Sequence, residues 1–263
     1  MNNYKLSICL PAHRTHLWEG LYESIVESVG DEHSWELILV GPNHPPPFFS
    51  EKRNFKFFKD YGTPSRCFQI STLLAEGELI TWASDDGYYT KDSLKHCIER
   101  SDQIGEKDIL IARHVEGVNH QGKEESLEFW NAHHHPSLRL PGIPEDFKII
   151  LNGVMKLSYF RALGGVDCRY ENYNMNLHDL AFRAQRDGSQ IHFSEMTVLN
   201  CDWNPPAFFP QGDHVPITNA HLQHDMPLFT AEMSKDQSDR VKIDLFNWVD
   251  QPTVWQRRFG DMK

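Results

Sequence analysis

Glu78-Leu-Ile-Thr-Trp-Ala-Ser-Asp-Asp-Gly87 sets two adjacent carboxylates, Asp85 and Asp86, directly behind a largely apolar run. An uninterrupted run of that length suits a strand covered on both faces of a sheet. Just upstream, Thr63-Pro64-Ser65 carries the capping residue and first-turn proline of a helix start. Ile70, Leu73 and Leu74 form the apolar stripe of that helix, and Gly77 reads as its stop. The pattern repeats on both sides. Leu6–Leu10 is a short strand ended by Pro11, and Leu17, Leu21, Ile25 and Val29 recur every four residues along a helix face. Trp35–Val40 is a second apolar strand, Gly41 to Pro47 a loop, and Phe55–Phe58 a weaker strand. A helix is expected from about Asp92 and a strand at Asp108–Ala112. Strands alternating with helices predict an α/β fold whose mostly parallel central sheet is flanked by helices.

The second half is less regular. It offers a strand at Asn152–Lys156, a helix at Ser158–Leu163 stopped by Gly164-Gly165, a helix at Leu177–Arg186 ended by Gly188, and an extended Gln190–Asn200. Gly117–Glu125 reads as turns, and His133-His134-His135-Pro136 opens a loop running through Pro144. Consecutive histidines diverge in direction, so these three are read as loop and not as a metal cluster. Beyond Trp203 the chain is rich in Pro, Gly, His and Asp, with little periodicity until Asp244–Val249. No repeat, low-complexity tract or linker divides the chain, which predicts one domain over 1–263.

Composition narrows the function classes. The 263 residues carry a formal charge of −11, with 40% hydrophobic and 24% charged residues, which argues for a globular fold and against disorder. That charge disfavours nucleic acid or an anionic membrane as the main partner, yet a bound cation could still bring a phosphate-bearing small molecule. No apolar run approaches the roughly 20 residues needed to cross a bilayer. The five cysteines are scattered and form no CxxC pair, so reduced thiols in a cytoplasmic protein, at most peripheral to a membrane, are expected.

Asp85 and Asp86 fall where an open α/β sheet binds its ligands, outside the carboxyl ends of the strands. Adjacent carboxylates repel and lose solvation there, and a hard divalent cation shared with substrate phosphates compensates both effects. The competing reading is a solvated Asp-Asp-Gly turn before the next helix.

The run from Ser65 to Asp86 resembles the central block of family 2-like glycosyltransferases of the GT-A fold. Arg66 opens a helix, Ala75 and Gly77 end it, and an apolar strand leads to Asp85-Asp86 in place of the DXD motif. The strand-then-proline opening and Trp35–Val40 are similar to the family's nucleotide-binding half. Gly164-Gly165-Val-Asp167-x-Arg169 and Asp179-Leu-Ala-Phe-Arg183 are similar to its acceptor-side block. The resemblance covers about residues 5–190. It divides the domain into a nucleotide-sugar-binding half (1–115), an acceptor-side half (116–200) and an irregular C-terminal extension (201–263).

That resemblance implies a metal-dependent glycosyltransferase moving a sugar from a nucleoside diphosphate, UDP first, to a hydroxyl acceptor with inversion. Asp86 would ligate Mn²⁺ or Mg²⁺, Asp85 would receive the ribose, and Arg66 would stand near the diphosphate. Pro11, Ala12 and Asn43 would line the nucleotide site, although Asn43 stands near where the family carries an acid. His214 would complete the metal site, with His221 and His224 behind it. The family's Glu-Asp pair is replaced by Asn176 and Leu177, which leaves Asp179 as the catalytic base, backed by His178 and Glu171. In the first turn of its helix, Asp179 would be kept ionised by the helix dipole; pairing with Arg183 one turn on is the structural alternative. Trp203, Phe208 and Phe209 are candidates for a sugar-stacking wall or for core. The acceptor would be a glycan, a lipid-linked intermediate, a protein or a small molecule. Two other readings compete: a degenerate domain of the same fold that binds a nucleotide or glycan without turnover, and a metal-dependent hydrolase.

Overall fold

A computed structural model describes residues 4–116, 137–138, 147–201, 221–236 and 239–246 of the chain. Strands β1 (Tyr4–Pro11), β2 (Trp35–Gly41), β3 (Phe55–Lys59), β4 (Gly77–Trp82), β5 (Gly87–Tyr89), β6 (Ile109–Glu116), β9 (Gly153–Lys156) and β10 (Ile191–Cys201) form one eight-stranded sheet. Its order is β3-β2-β1-β4-β9-β6-β10-β5. The pairs β2–β3, β1–β2, β1–β4 and β6–β10 are parallel; β9 runs antiparallel to both of its neighbours, as does β5 to β10. Between them, β7 (Ser137–Leu138) and β8 (Phe147–Lys148) make a small antiparallel ladder.

The period of two along each strand sorts side chains onto two faces. Leu6, Ile8 and Leu10 of β1 pack with Leu37 and Leu39 of β2 against Leu21, Ile25 and Val29 of helix α1 (Trp18–Val29) and Leu94, Cys97 and Ile98 of helix α3 (Ser93–Ser101). Cys9, Ile38, Ile80 and Trp82 face the other way, onto Phe68 of helix α2 (Pro64–Leu74), Phe160 of α4 (Leu157–Ala162) and Leu177, Leu180 and Ala184 of α5 (Tyr173–Arg186). All seven residues of β2 are buried, as a strand covered on both faces demands.

Two expectations are corrected. Gly77 does not stop α2: Ala75 is its extended C-cap, and Gly77 opens β4. A glycine is needed there because an added Cβ would lie 2.6 Å from Ser7 Oγ and 2.7 Å from Ser7 N. Helix α5 begins at Tyr173, four residues before the expected Leu177. The Asn172 side chain caps it, accepting from the N–H groups of Asn174 at 2.9 Å and Met175 at 3.3 Å. The C-terminal part also holds a helix, α6 (Met226–Met233), preceded by a single π-turn at His221–Asp225. Among the described residues, no helix is long and apolar enough to cross a membrane. The turn at 117–125, the loop opened by His133, His134 and His135, and the aromatic residues Trp203, Phe208 and Phe209 lie outside the described residues.

Candidate active site at the carboxyl edge of the sheet

Because β1, β2, β3 and β4 run parallel, the segments after Pro11, Gly41, Lys59 and Trp82 meet at one edge. Ala12 N donates to Val40 O at 2.9 Å, and Asp60 N donates to Gly41 O at 3.0 Å. A Cβ on Gly41 would lie 1.6 Å from the Ala12 carbonyl oxygen, so only glycine lets β2 and the β1 loop approach this closely. Asn43 Nδ2 donates to the His13 carbonyl at 2.8 Å and pins the same loop from the β2 side.

Asp85 is the hub of this edge. It is 1% exposed, and its Oδ2 accepts from His13 N at 2.7 Å, Arg14 N at 2.7 Å and Trp18 Nε1 at 3.0 Å. Its Oδ1 accepts from Arg14 Nη1. Burial alone would push this carboxyl up; Arg14, His13 and the N–H donors together outweigh burial and hold it below the ordinary carboxylate range. With both oxygens engaged, Asp85 ties β4 to the β1 loop.

Asp86 is different. Its Oδ2 lies 3.7 Å from Arg14 Nη2, while its Oδ1 is buried with no hydrogen-bond partner. A buried carboxylate oxygen without a donor is costly, and it fits a site that a cation or a ligand proton completes. Asp86 is thus the residue here fit to hold a divalent metal.

Arg66 lies in the first turn of α2, whose N-cap Thr63 Oγ1 accepts from Arg66 N at 3.1 Å. Its guanidinium grips Asp60, with Nε 2.9 Å and 3.1 Å from the two carboxylate oxygens and Nη2 2.8 Å from Oδ2. Contacts therefore run unbroken from Arg66 through Asp60, Gly41, Ala12 and His13 to Asp85. Pro11, Ala12, Asn43, Arg66, Asp85 and Asp86 share one edge. Sequence reading missed Arg14, Trp18 as a donor, and Asp60. Only the pairing of β1 with β4 brings the loop after β1 beside the acidic pair.

The second half of the chain meets this edge through aromatic packing. Tyr173 at the start of α5 packs edge-on against Phe68 at 5.5 Å, and Phe68 packs on Trp82, the last residue of β4, at 5.9 Å. Asp179 is not in the first turn of α5 but is its seventh residue, so the dipole at the helix start does not hold its charge. It is 4% exposed, and burial, reinforced by Asp167, raises its pKa despite the opposing Arg183. Arg183 Nε donates to Asp179 Oδ2 at 2.7 Å. His178 is half-buried beside it, and Glu171 is buried in the loop before α5. Asn176 is wholly buried, and neither its Oδ1 nor its Nδ2 has a partner.

His214 lies outside the described residues, as does the side chain of His221. His224 Nδ1 is 2.8 Å from Oδ1 of the buried Asp225, which also accepts from Glu171 N and Asn172 N and so binds the π-turn to the cap of α5. Among the described residues, one set of three residues with metal-ligating side chains, Glu32, His33 and Glu99, brings its ligand atoms within 4.8 Å of one another. Glu32 and His33 lie just before β2 and Glu99 on α3, away from the edge that carries Asp86.

Sheet order, covering helices and a carboxylate pair behind β4 define a protein of the glycosyltransferase-type GT-A fold. Solved structures of S. aureus TarS share it. TarS 1-349 superposes with a TM-score of 0.56 at 14% identity, covering 75% of this chain and 60% of that one. Its complex with UDP-GlcNAc gives 0.55 at 14% identity, over 86% and 65%, and its complex with UDP gives 0.52 at 14% identity, over 76% and 61%. This chain thus spans less than two thirds of the length of those neighbours. No protein-family model and no curated protein matches it.

Proposed function

We propose that this chain is a family 2-like glycosyltransferase that transfers a sugar from a nucleoside diphosphate to an acceptor hydroxyl, using Mn²⁺ or Mg²⁺ and inverting the anomeric centre. The observation that carries the reading is Asp86 Oδ1, a buried carboxylate oxygen left without a partner at the ligand-binding edge of this fold. Fold neighbours solved with UDP and UDP-GlcNAc support a nucleotide-sugar donor, with UDP the first choice. A glycan, a lipid-linked intermediate, a protein or a small molecule would accept the sugar.

In this reading Asp86 ligates the metal, with His214 as a further ligand. The bound metal would neutralise charge developing on the departing diphosphate. Pro11, Ala12 and Asn43 shape the nucleotide wall, and Arg66, held by Asp60, flanks the phosphates. Asp179 takes the acceptor proton; its raised pKa makes it a stronger proton acceptor than an ordinary carboxylate. One base on the face opposite the leaving group gives inversion.

A second reading, nucleotide or glycan binding without turnover, is favoured by a specific observation: Arg183 occupies Asp179, while Asn176 and Leu177 offer no acid in its stead. One experiment separates the two. Melting temperature is measured with UDP-, GDP-, CMP- and TDP-sugars, each with and without Mn²⁺, alongside release of free nucleotide. Saturation at about 100-fold over Kd stabilises the folded state by about 2.7 kcal/mol. A shift requiring both nucleotide and metal, abolished in Asp86→Asn and accompanied by turnover, supports the transferase. The same shift without turnover supports the binding domain. No shift with any donor overturns the transferase and the nucleotide-binding domain, and leaves glycan binding or a hydrolase.

A further inference from the structure

Arg14 is absent from every motif of the sequence, yet it is the cation against which both carboxylates of the candidate site are set. Its Nη1 donates to Asp85 Oδ1, and its Nη2 lies 3.7 Å from Asp86 Oδ2. The side chain is 17% exposed and Asp85 1%, so the pair is shielded from screening by solvent. Asp85 receives three further hydrogen bonds, from His13 N, Arg14 N and Trp18 Nε1. Its negative charge is therefore spent within the protein, and one carboxylate, Asp86, remains to attract a dication. A hard cation such as Mg²⁺ or Mn²⁺ takes about six oxygen ligands, of which a site like this supplies few. Substrate phosphates would supply the remainder, together with the negative charge that Arg14 has cancelled.

We propose that Arg14 is a positioning residue that makes metal binding contingent on the diphosphate: it orients Asp85 and Asp86 while opposing a dication that arrives alone. This inference rests on the proposed donor site and adds to it an order of assembly. Nucleotide and metal bind as a coupled pair, and Arg14 sets the coupling. Electrostatics gives the sign. Removing a positive charge from beside Asp86 strengthens attraction for a lone dication, and by reciprocity weakens the dependence of metal on nucleotide. Asp85 keeps three N–H donors without the guanidinium, so the loop retains its anchor.

The test is titration calorimetry of the whole chain with Mn²⁺ alone, with UDP alone, and with each in the presence of the other, on wild type, Arg14→Gln and Arg14→Lys. In wild type, UDP is expected to tighten Mn²⁺ by about tenfold or more, within the usual range of coupling between sites. Arg14→Gln is expected to bind Mn²⁺ alone about tenfold more tightly than wild type and to lose most of the coupling. Arg14→Lys keeps the charge and is expected to match wild type for Mn²⁺ alone. Unchanged or weaker Mn²⁺ binding in Arg14→Gln overturns the inference, as does wild-type coupling below twofold. Should Arg14→Gln not fold, the wild-type coupling and the Arg14→Lys titration decide. Failure of UDP to bind wild type with Mn²⁺ present overturns the donor-site reading itself, whereas UDP binding with Arg14→Gln indistinguishable from wild type overturns Arg14 alone.

Discussion

Arg183 holds Asp179 at 2.7 Å one helical turn away, and the same guanidinium donates to the carbonyls of Leu163 and Gly165, each at 2.7 Å. Helix α5 is thereby fastened to the turn that follows α4. Gln69 of α2 reaches the same turn, accepting from Val166 N at 2.9 Å and donating to Gly164 O at 3.0 Å. Helices α2 and α5 and the turn after α4 are therefore one cross-braced unit.

Arg183→Ala strands a buried carboxylate and two carbonyls. The expected cost is about 3–5 kcal/mol in urea unfolding, since breaking a buried pair leaves an uncompensated charge. Asp179→Asn keeps an acceptor for the guanidinium and is expected to cost about 1–3 kcal/mol. It also tests the base: turnover should vanish in Asp179→Asn while UDP binding persists. Retained turnover would assign Asp179 to architecture alone.

Gly41→Ala is expected to destabilise by about 3 kcal/mol, because the new methyl would overlap the Ala12 carbonyl and force the ends of β1 and β2 apart. Nucleotide binding should weaken together with stability, since Ala12 and Asn43 belong to the same junction. An unfolding free energy within 0.5 kcal/mol of wild type would show that this junction yields easily.

Asp85 gives an acid signature. Its folded-state pKa lies below the unfolded value of about 3.9, so the stability it contributes is complete above that value and is lost as pH falls through the folded one. Asp85→Asn, which leaves Arg14 without its buried partner, is expected to cost about 3 kcal/mol at neutral pH. The gap between wild type and variant should narrow steadily below about pH 4. Urea midpoints from pH 6 to pH 2.5 measure it, and a gap independent of pH would rule out a depressed Asp85.

Trp18→Phe isolates one of the hub's donors. The ring position in the core stays filled, while the 3.0 Å bond from Nε1 to Asp85 Oδ2 is lost. Hydrogen bonds to charged groups contribute about 1.5–3 kcal/mol, and the melting curve should fall by that equivalent. No change would mean that the remaining donors satisfy Asp85 by themselves.

Much of this architecture is legible in the chain because burial imposes a period. Leu6–Leu10, Trp35–Val40 and the run ending at Ala83 are apolar on both faces, and each is a strand of the sheet within a residue or two. What local pattern does not encode is lateral order. Nothing in Gly153–Lys156 indicates that it inserts antiparallel between β4 and β6, because that placement depends on partners far along the chain. The start of α5 was hidden for another reason: Tyr173-Asn-Met-Asn176 lacks apolar spacing, and one cap at Asn172 overrides that weak signal. The shift of four residues moved Asp179 from a helix end to a helix interior and so changed its electrostatics. Arg14 went unread because a lone basic residue in a loop carries no pattern until the strand order sets it beside Asp85.

The strand order also decides how this sheet meets copies of itself. Among the described residues its outer strands are β3 on one side and β5 on the other, and an outer strand with unpaired backbone groups is an invitation to intermolecular pairing. Strand β3 carries Lys56, drawn back onto the buried Glu36 at 2.8 Å, and Lys59 at its end. Strand β5 is three residues long. A neighbour adding to β3 would have to bury lysine charge, and one adding to β5 would gain a single short ladder. Crowded solutions of this protein should therefore resist edge-to-edge growth, even though Phe58 stands 44% exposed on the β3 margin.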